Sequence, residues 1–348
     1  MKAFIGTSVF VSLFLLFFFL FGYDVFEKDV HYDDEQEGLN EQIVINFSHV
    51  VAENTPKGLA AQKFAEIVTQ KSKGRVKVEV FPNGALYSDD EEISALKRND
   101  VQMIAPSFSK MTEIMPEWQM FDLPFIFESY DEVEQVFMGD VGQKLLTMLE
   151  EENLKGLALW SNGFKQMTSN KSPLLEPDDF KGQSFRIMPS EVIEEQFRLL
   201  GAQPRAVPFN QVYESLQKHE FDGQENTISN IYSKRFYQLQ RYMTISNHGY
   251  LGYTVLMNEE FWKRLPPDVQ RLIEEAMKET TTWILEQSKL MNEQQLKHIQ
   301  KESDIKVYYL TEDEKKKWRQ KLQPIYEQFE EEATEELVKM IQELKSGR

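Results

Sequence analysis

Cysteine is missing from this sequence and histidine is scarce. Among 348 residues there is no cysteine, and only five are histidine. The lack of thiols excludes disulfide bonds, a cysteine nucleophile, cysteine-bound zinc and iron–sulfur clusters. No histidine lies three to five residues from another, so the helical histidine pair of many metal sites is missing too. We therefore predict no cofactor.

Basic residues are outnumbered by acidic ones. Lys and Arg total 39 against 57 Asp and Glu, which gives a net charge of −18. Such a chain repels polyanions at long range, so we expect no nucleic-acid partner. Hydrophobic residues make up 41% of the sequence, which is enough for a normal buried core. The length corresponds to about two domains.

One long uncharged run lies near the N-terminus, from Ala3 to Tyr23. As a helix its 21 residues would span ~31 Å, the hydrocarbon thickness of a bilayer. A lysine precedes the run and a mostly acidic stretch follows it, so the remainder of the chain is expected outside the cytoplasm. Since no small-x-small cleavage site ends the run, we predict a retained membrane anchor over residues 1–23, with a cleaved signal peptide as the alternative. Residues 24–42 then form an acidic linker.

The first part of the exported region alternates between strand and helix patterns. Thr55 and Pro56 are typical of a helix start, and apolar residues keep helical spacing from there to Ser72. The resulting βαβαβ order predicts a parallel sheet with covering helices. The predicted strands here are 43–47, 76–81, 101–105 and 157–160, and the predicted helices are 56–72, 90–99 and 131–152.

A second α/β set follows from about residue 162. Its predicted strands are 166–168, 184–187, 221–225, 243–246 and 254–257, and its predicted helices are 190–200, 208–219 and 226–236. Glycine and proline are then missing between Pro267 and Pro324. We predict one helix over residues 268–301, ~50 Å long, which could lie across two lobes. A coiled-coil arm is the alternative, but no heptad is sustained.

Motifs for catalysis are missing. The sequence contains no G-x-S-x-G, G-x-G-x-x-G or P-loop motif, so we predict that the protein is not an enzyme. Polar residues instead cluster at predicted strand ends, where open parallel sheets bind ligands. Taken singly, each also fits a structural role, such as a helix cap, a surface lysine or a buried ion pair. These residues are His49, Ser107, Lys165, Arg186 and Asn226.

Several motifs in order resemble a known family. N-G-F-K-Q-M-T-S-N, F-R-I-M-P-S, V-P-F-N-Q-V-Y-E-S-L-Q and F-D-G-Q-E-N are similar to motifs in solute-binding proteins of tripartite (TRAP) transporters. The segment F-S-H-V-V-A-E-N-T-P-K-G resembles the C4-dicarboxylate-binding DctP/DctB subgroup. The resemblance implies an α/β, two-lobed periplasmic-binding-protein-like fold with a long helix spanning both lobes. It places lobe I at 43–163 plus 252–291 and lobe II at 164–251 plus 292–348.

The resemblance also implies a binding site and a function. Arg186 would hold one carboxylate with help from Asn226, while Lys165 and His49 compete for the other. Phe209 would form an aromatic wall, and Ser107 would occupy a further ligand position. The implied function is extracytoplasmic capture of succinate, fumarate or malate by a monomer, secreted or anchored on the outer face of the membrane. The ligand would pass to a membrane permease, or, as the alternative, be presented to a membrane sensor kinase.

Overall fold

A nine-stranded sheet organises the part of the protein that the computed structural model describes, residues 42–346. The strand order is β2-β1-β3-β8-β4-β7-β5-β6, with β9 beside β8. The predicted anchor, and all but the last residue of the predicted linker, lie outside the described residues. The strands are β1 Ile43–Ser48, β2 Val76–Phe81, β3 Met103–Ile104, β4 Leu154–Ser169, β5 Ser184–Ile187, β6 Gln203–Ala206, β7 Gly223–Thr227, β8 Tyr242–Asn258 and β9 Lys306–Tyr309.

Twelve α-helices among the described residues connect and cover these strands. As predicted, the first helix begins after Thr55, whose side-chain oxygen accepts a hydrogen bond from the Gly58 N–H at 3.2 Å. The helices are α1 Pro56–Lys71, α2 Glu92–Lys97, α3 Phe108–Met111, α4 Tyr130–Met138, α5 Asp140–Met148, α6 Glu191–Leu199, α7 Val212–Gln217, α8 Ile228–Ser233, α9 Glu259–Arg264, α10 Pro267–Glu302, α11 Glu312–Glu332 and α12 Glu335–Ser346. Within residues 42–346, none combines the length and the apolar character that a membrane span requires.

Two α/β halves flank a long central ribbon. β1 pairs in parallel with β2 and β3, which confirms the predicted parallel pattern, and β5 pairs in parallel with β6 and β7. Between these halves run β4 and β8, of 16 and 17 residues, paired antiparallel. The prediction of separate short strands here was wrong. The β4–β8 pairing shifts register at several points along the ribbon, as between Ser161 and Gly163.

The helix predicted over residues 131–152 is also interrupted. Gly139 has an extended backbone, with φ −94° and ψ −171°, and separates α4 from α5. A Cβ at this position would clash with the carbonyl oxygen of Gln135. The break therefore depends on close backbone packing, which apolar periodicity cannot indicate.

Hydrophobic clusters cover both faces of the sheet. Along β4, Leu159 packs into one cluster while its neighbours Ala158 and Trp160 pack into the other. This alternation is expected because successive strand residues point to opposite faces. The predicted long helix is confirmed as α10, with 36 residues, and it packs against α1, β4 and α8.

Candidate ligand-binding site

A pocket opens between the two α/β halves, where their parallel strands end. Its cavity volume is about 40 Å³. The first half contributes cationic and anionic side chains, and the second contributes an arginine, an aromatic ring and amides. The lining residues are Val50, Val51, Lys57, Asp89, Glu92, Ser107, Lys110, Arg186, Met188, Pro189, Phe209, Asn226, Asn230, Leu251 and Tyr253.

Arg186 presents a buried guanidinium to this pocket. It lies in β5, where its Nε donates a hydrogen bond to the Val207 carbonyl at 2.9 Å. Its Nη1 is buried and has no hydrogen-bond partner among the described residues. Burial lowers the pKa of Arg186 to about 10, against the opposing effect of nearby carboxylates, so the group stays charged at neutral pH. A buried cation with an unused donor is suited to an anionic ligand.

Asn226 lies beside Arg186 in the pocket, at the end of β7. Its side-chain oxygen accepts hydrogen bonds from the Asn230 side chain at 2.8 Å and the Thr227 N–H at 3.1 Å. Its amide nitrogen donates no hydrogen bond to any residue within 42–346. The side chain is therefore held by its oxygen, which leaves the NH₂ group for a ligand.

Phe209 and Ser107 approach the pocket from opposite halves. Phe209 is buried against Phe236, and its backbone N–H donates to Asp89 at 3.1 Å, a contact that joins the two halves. Ser107 precedes α3 and forms a bridge with Tyr253 of β8. Four of the six predicted site residues thus line one pocket.

Lys165 is buried but does not line the pocket. Its ammonium contacts Glu225 Oε1 at 2.8 Å, and the other oxygen of Glu225 contacts His248 Nε2 at 2.8 Å. His248 Nδ1 in turn lies 2.7 Å from Ser246 Oγ. Burial would raise the pKa of Glu225, but Lys165 and His248 outweigh it and hold that pKa at about 2. The lysine already has an ionised partner.

His49 is also buried outside the pocket lining. It follows β1, and its ring packs edge-on against Phe47. Burial, together with the nearby charge of Lys57, lowers the pKa of His49 to about 3. The ring is therefore neutral at physiological pH and carries no charge for a second carboxylate.

The structure brings further charged residues to the pocket that the sequence analysis did not select. Lys57, in the first turn of α1, donates to the Ala105 carbonyl at 2.8 Å and lies 3.8 Å from the centre of the Tyr253 ring. Lys110 pairs with Asp90 and with Glu113, the latter at 3.3 Å. Glu92 is buried, and among residues 42–346 neither of its oxygens has a hydrogen-bond partner.

Lys57 could have been found from the sequence by its position. A helix N-terminus carries partial positive charge and favours acidic side chains in its first turn. A lysine directly after the Thr55-Pro56 helix start is therefore unfavourable for the helix itself. For Glu92 the pattern was less informative, because many acidic residues of this chain are exposed.

Comparison with known proteins places the chain in a family. The family model described as "Bacterial extracellular solute-binding protein, family 7" (DctP) matches residues 47–332. The C4-dicarboxylate-binding protein DctB of Bacillus subtilis is 54% identical over 318 residues, which cover 91% of each chain.

Solved structures agree with this assignment. A TRAP periplasmic solute-binding protein of Sulfurospirillum deleyianum with bound succinate is 43% identical, with a TM-score of 0.83, and the match covers 86% of this chain and 98% of that one. Another, from Pseudomonas aeruginosa with bound L-malate, is 35% identical, with a TM-score of 0.80 and coverage of 82% and 99%. The chain therefore belongs to the DctP family of bacterial extracellular solute-binding proteins and has its two-lobed α/β fold, with a long helix across both lobes.

Proposed function

We propose that this protein binds a C4-dicarboxylate such as succinate, fumarate or malate between its two lobes. The observation that carries the proposal is the buried Arg186 guanidinium, whose Nη1 has no partner in the described part of the chain, in a pocket that Lys57 also lines. Two separate cations suit a ligand with two separate carboxylates. Support also comes from the relatives, because one is named a C4-dicarboxylate-binding protein and two were solved with succinate or L-malate.

Each end of the ligand has its own set of groups in this proposal. Arg186 and Asn226 hold one carboxylate, while Phe209 and Ser107 shape the pocket. We assign the second carboxylate to Lys57, because within residues 42–346 its ammonium has only a neutral carbonyl as hydrogen-bond acceptor, whereas Lys165 is paired with Glu225. Lys165, selected from the motif, remains the competing assignment, and variants distinguish the two below.

The test is calorimetric titration of succinate into the purified protein and two arginine variants. Removing one partner of a desolvated charge pair costs on the order of 2–5 kcal/mol. Arg186→Ala is therefore expected to weaken binding by at least ~30-fold. Arg186→Lys is expected to recover only part of this loss, because a lysine cannot form the bidentate pair.

A matched control lies on the neighbouring strand. Arg205 in β6 is paired in register with Arg186, but it is exposed and contacts Glu220 at 3.4 Å. Arg205→Ala is expected to bind succinate like the parent protein. If a folded Arg186→Ala protein binds with parental affinity, the assignment of the site is wrong.

Binding without turnover is the second part of the proposal. Mass spectrometry of small molecules released by denaturing the purified protein would identify the bound acid. After prolonged incubation, succinate is expected to be recovered unchanged. Conversion of the ligand would contradict the proposed non-enzymatic role.

The protein is further proposed to act as a monomer that hands its ligand to a membrane permease while tethered by residues 1–23. No description of the relatives favours the sensor-kinase alternative. Intact mass and N-terminal sequencing of protein from its own cells test the tether. A mature N-terminus between Asp24 and Asp33 would show cleavage and contradict the anchor.

A further inference from the structure

Glu92 is an unusual residue for the wall of an anion site. It begins α2, where helical spacing aligns it with Ala95 and Leu96 on the buried face. Its side chain is 1% exposed and lines the same pocket as Arg186. Both carboxyl oxygens lack a hydrogen-bond partner, and no cation among the described residues lies within ion-pair distance. A buried, unpaired carboxylate is costly, so this environment favours the neutral acid.

Charged and titratable groups face Glu92 from each neighbouring element. Lys57 approaches from α1, Lys110 from α3, Asp89 from the preceding loop and Tyr253 from β8. Burial raises the pKa of Glu92 to about 8, and Asp89 adds to this increase while the two lysines oppose it. Burial also lowers the pKa of Lys57 to about 8, so an experiment must separate these two groups.

The charge balance of the pocket also favours a neutral Glu92. With every lining group ionised, the cations Lys57, Lys110 and Arg186 face the anions Asp89 and Glu92. With Glu92 neutral, the excess of positive charge increases by one, which suits a dianion better. A neutral carboxyl group also has a proton to donate, whereas a carboxylate would repel the ligand.

We propose that Glu92 recognises the bound dicarboxylate as a neutral carboxylic acid, donating a hydrogen bond to the ligand carboxylate that lies beside Lys57. This inference rests on the proposed function. In the proposed complex the ligand is bound as a dianion and Glu92 carries one proton. Binding therefore takes up a proton wherever Glu92 is ionised in the free protein.

Infrared spectra of the succinate complexes at pH 7, compared between the parent protein and its variants, test the protonation of Glu92 directly. With carboxyl-¹³C-labelled succinate any carbonyl band of the ligand is shifted, so an unshifted band of a protonated carboxyl group comes from the protein. The band is expected in the parent protein and is expected to lose intensity in Glu92→Gln. It should persist in Glu91→Gln, a matched control at the neighbouring, exposed glutamate. No such band in the parent complex, or a band unchanged by Glu92→Gln, would overturn the proposal.

Calorimetry at pH 9, in two buffers of different ionisation enthalpy, counts the protons taken up. With a pKa of about 8, Glu92 is mostly ionised there before binding, so the parent is expected to take up more proton than Glu92→Gln. Because Glu92 also raises the pKa of Lys57, the same comparison is made in the Lys57→Met background, where Lys57 cannot take up a proton. Equal uptake would overturn the proposal. If the parent binds no dicarboxylate at any pH, the proposed function itself fails, and that result is distinct from binding without a role for Glu92.

Discussion

At the level of single residues, the cations near the pocket differ in what they already contact. Arg186 has an Nη1 that bonds to none of the residues the structure describes, and Lys57 has a carbonyl and an aromatic face as neighbours. Lys165, by contrast, forms a buried ion pair with Glu225. A ligand carboxylate can gain more from the first two, because no existing ion pair must be broken.

The first prediction compares Lys57→Met with Lys165→Met. Lys57→Met is expected to weaken succinate binding at least ~10-fold and butyrate binding much less, because only succinate has a second carboxylate. The measurement is calorimetric titration of both acids. A selective loss of succinate binding in Lys165→Met, with Lys57→Met unaffected, would support the assignment of Lys165 instead.

Lys165→Met is expected to destabilise the folded protein. It leaves Glu225 buried beside His248 without its lysine, which should lower the free energy of unfolding by ~3–5 kcal/mol. Chemical denaturation measures this change. The double variant Lys165→Met/Glu225→Gln removes the orphaned charge and should recover part of the loss. No recovery would contradict this explanation.

The second prediction concerns the effect of His49 on the stability of the protein at low pH. Burial lowers its pKa to about 3 in the folded protein, from 6.5, so protonation on acidification favours the unfolded chain. The contribution of neutral His49 to stability is complete above pH 6.5 and decreases as the pH falls toward 3. The slope is up to ~1.4 kcal/mol per pH unit.

Denaturation of the parent, His49→Gln and His298→Gln at pH 6.5 and 5 checks this slope. From pH 6.5 to 5, His49→Gln is expected to lose ~1.6 kcal/mol less unfolding free energy than the parent. His298 has an exposed side chain on α10, so its variant should follow the parent. Parallel loss in all three proteins would contradict a buried neutral His49.

At the level of elements, α10 is tied to the sheet by polar as well as apolar contacts. The Asn292 side chain donates to the Asn162 carbonyl at 2.7 Å and accepts from the Ser229 N–H at 2.9 Å. It therefore joins α10 to β4 and to the start of α8. One turn earlier, the Oγ of Ser288 lies 2.5 Å from the Oγ of Ser161. This is a second polar contact between α10 and β4.

The third prediction is that Asn292→Leu destabilises the protein. It leaves a buried N–H and a buried carbonyl without a partner, each of which costs ~1–3 kcal/mol. Thermal and chemical denaturation measure the effect. Gln294→Ala, at an exposed site on the same helix, should change stability by less than ~0.5 kcal/mol. Equal effects of the two variants would show that the Asn292 contacts contribute little.

At the level of the whole molecule, two long strands and α10 connect the lobes. The predicted lobe boundaries fall within these elements, and two of the boundary residues, Gly163 and Leu251, are paired next to a register shift of β4. The boundaries remain predictions. If they are right, opening and closing would bend β4, β8 and α10 together.

The fourth prediction is that ligand closes the lobes. Groups from both halves line the pocket, so the ligand should bind the closed arrangement better than the open one. Small-angle scattering is expected to show a smaller radius of gyration with saturating succinate. Arg186→Ala at the same concentration should show a much smaller change. An unchanged radius in the parent protein, under conditions where calorimetry shows saturation, would contradict closure.

Net charge works against ligand approach at this scale. The chain carries −18, and a dicarboxylate is an anion. Salt screens exposed charges beyond ~8 Å at physiological ionic strength, so the local cations of the pocket dominate once the ligand enters. Overall charge thus opposes the long-range approach of polyanions without preventing a small dianion from binding in the pocket.

The sequence by itself determined the family, the α/β class and much of the local structure. Thr55 and Ser190 predicted helix starts correctly, because a side-chain cap depends only on neighbouring residues. Valine alternation predicted β2, and the lack of glycine and proline predicted α10. Motifs in the right order identified the family, which the family model and the relatives confirm.

Only the tertiary structure decided which polar residues share a pocket and in what environment. Lys57, Glu92 and Arg186 are up to 129 positions apart in the sequence, and their proximity results from three elements that meet between the lobes. The ion pair of Lys165 with Glu225 likewise requires β4 and β7 to lie side by side. Whether a charged side chain is buried, and beside which partner, depends on long-range packing, and burial is what sets the charge states of Glu92 and His49.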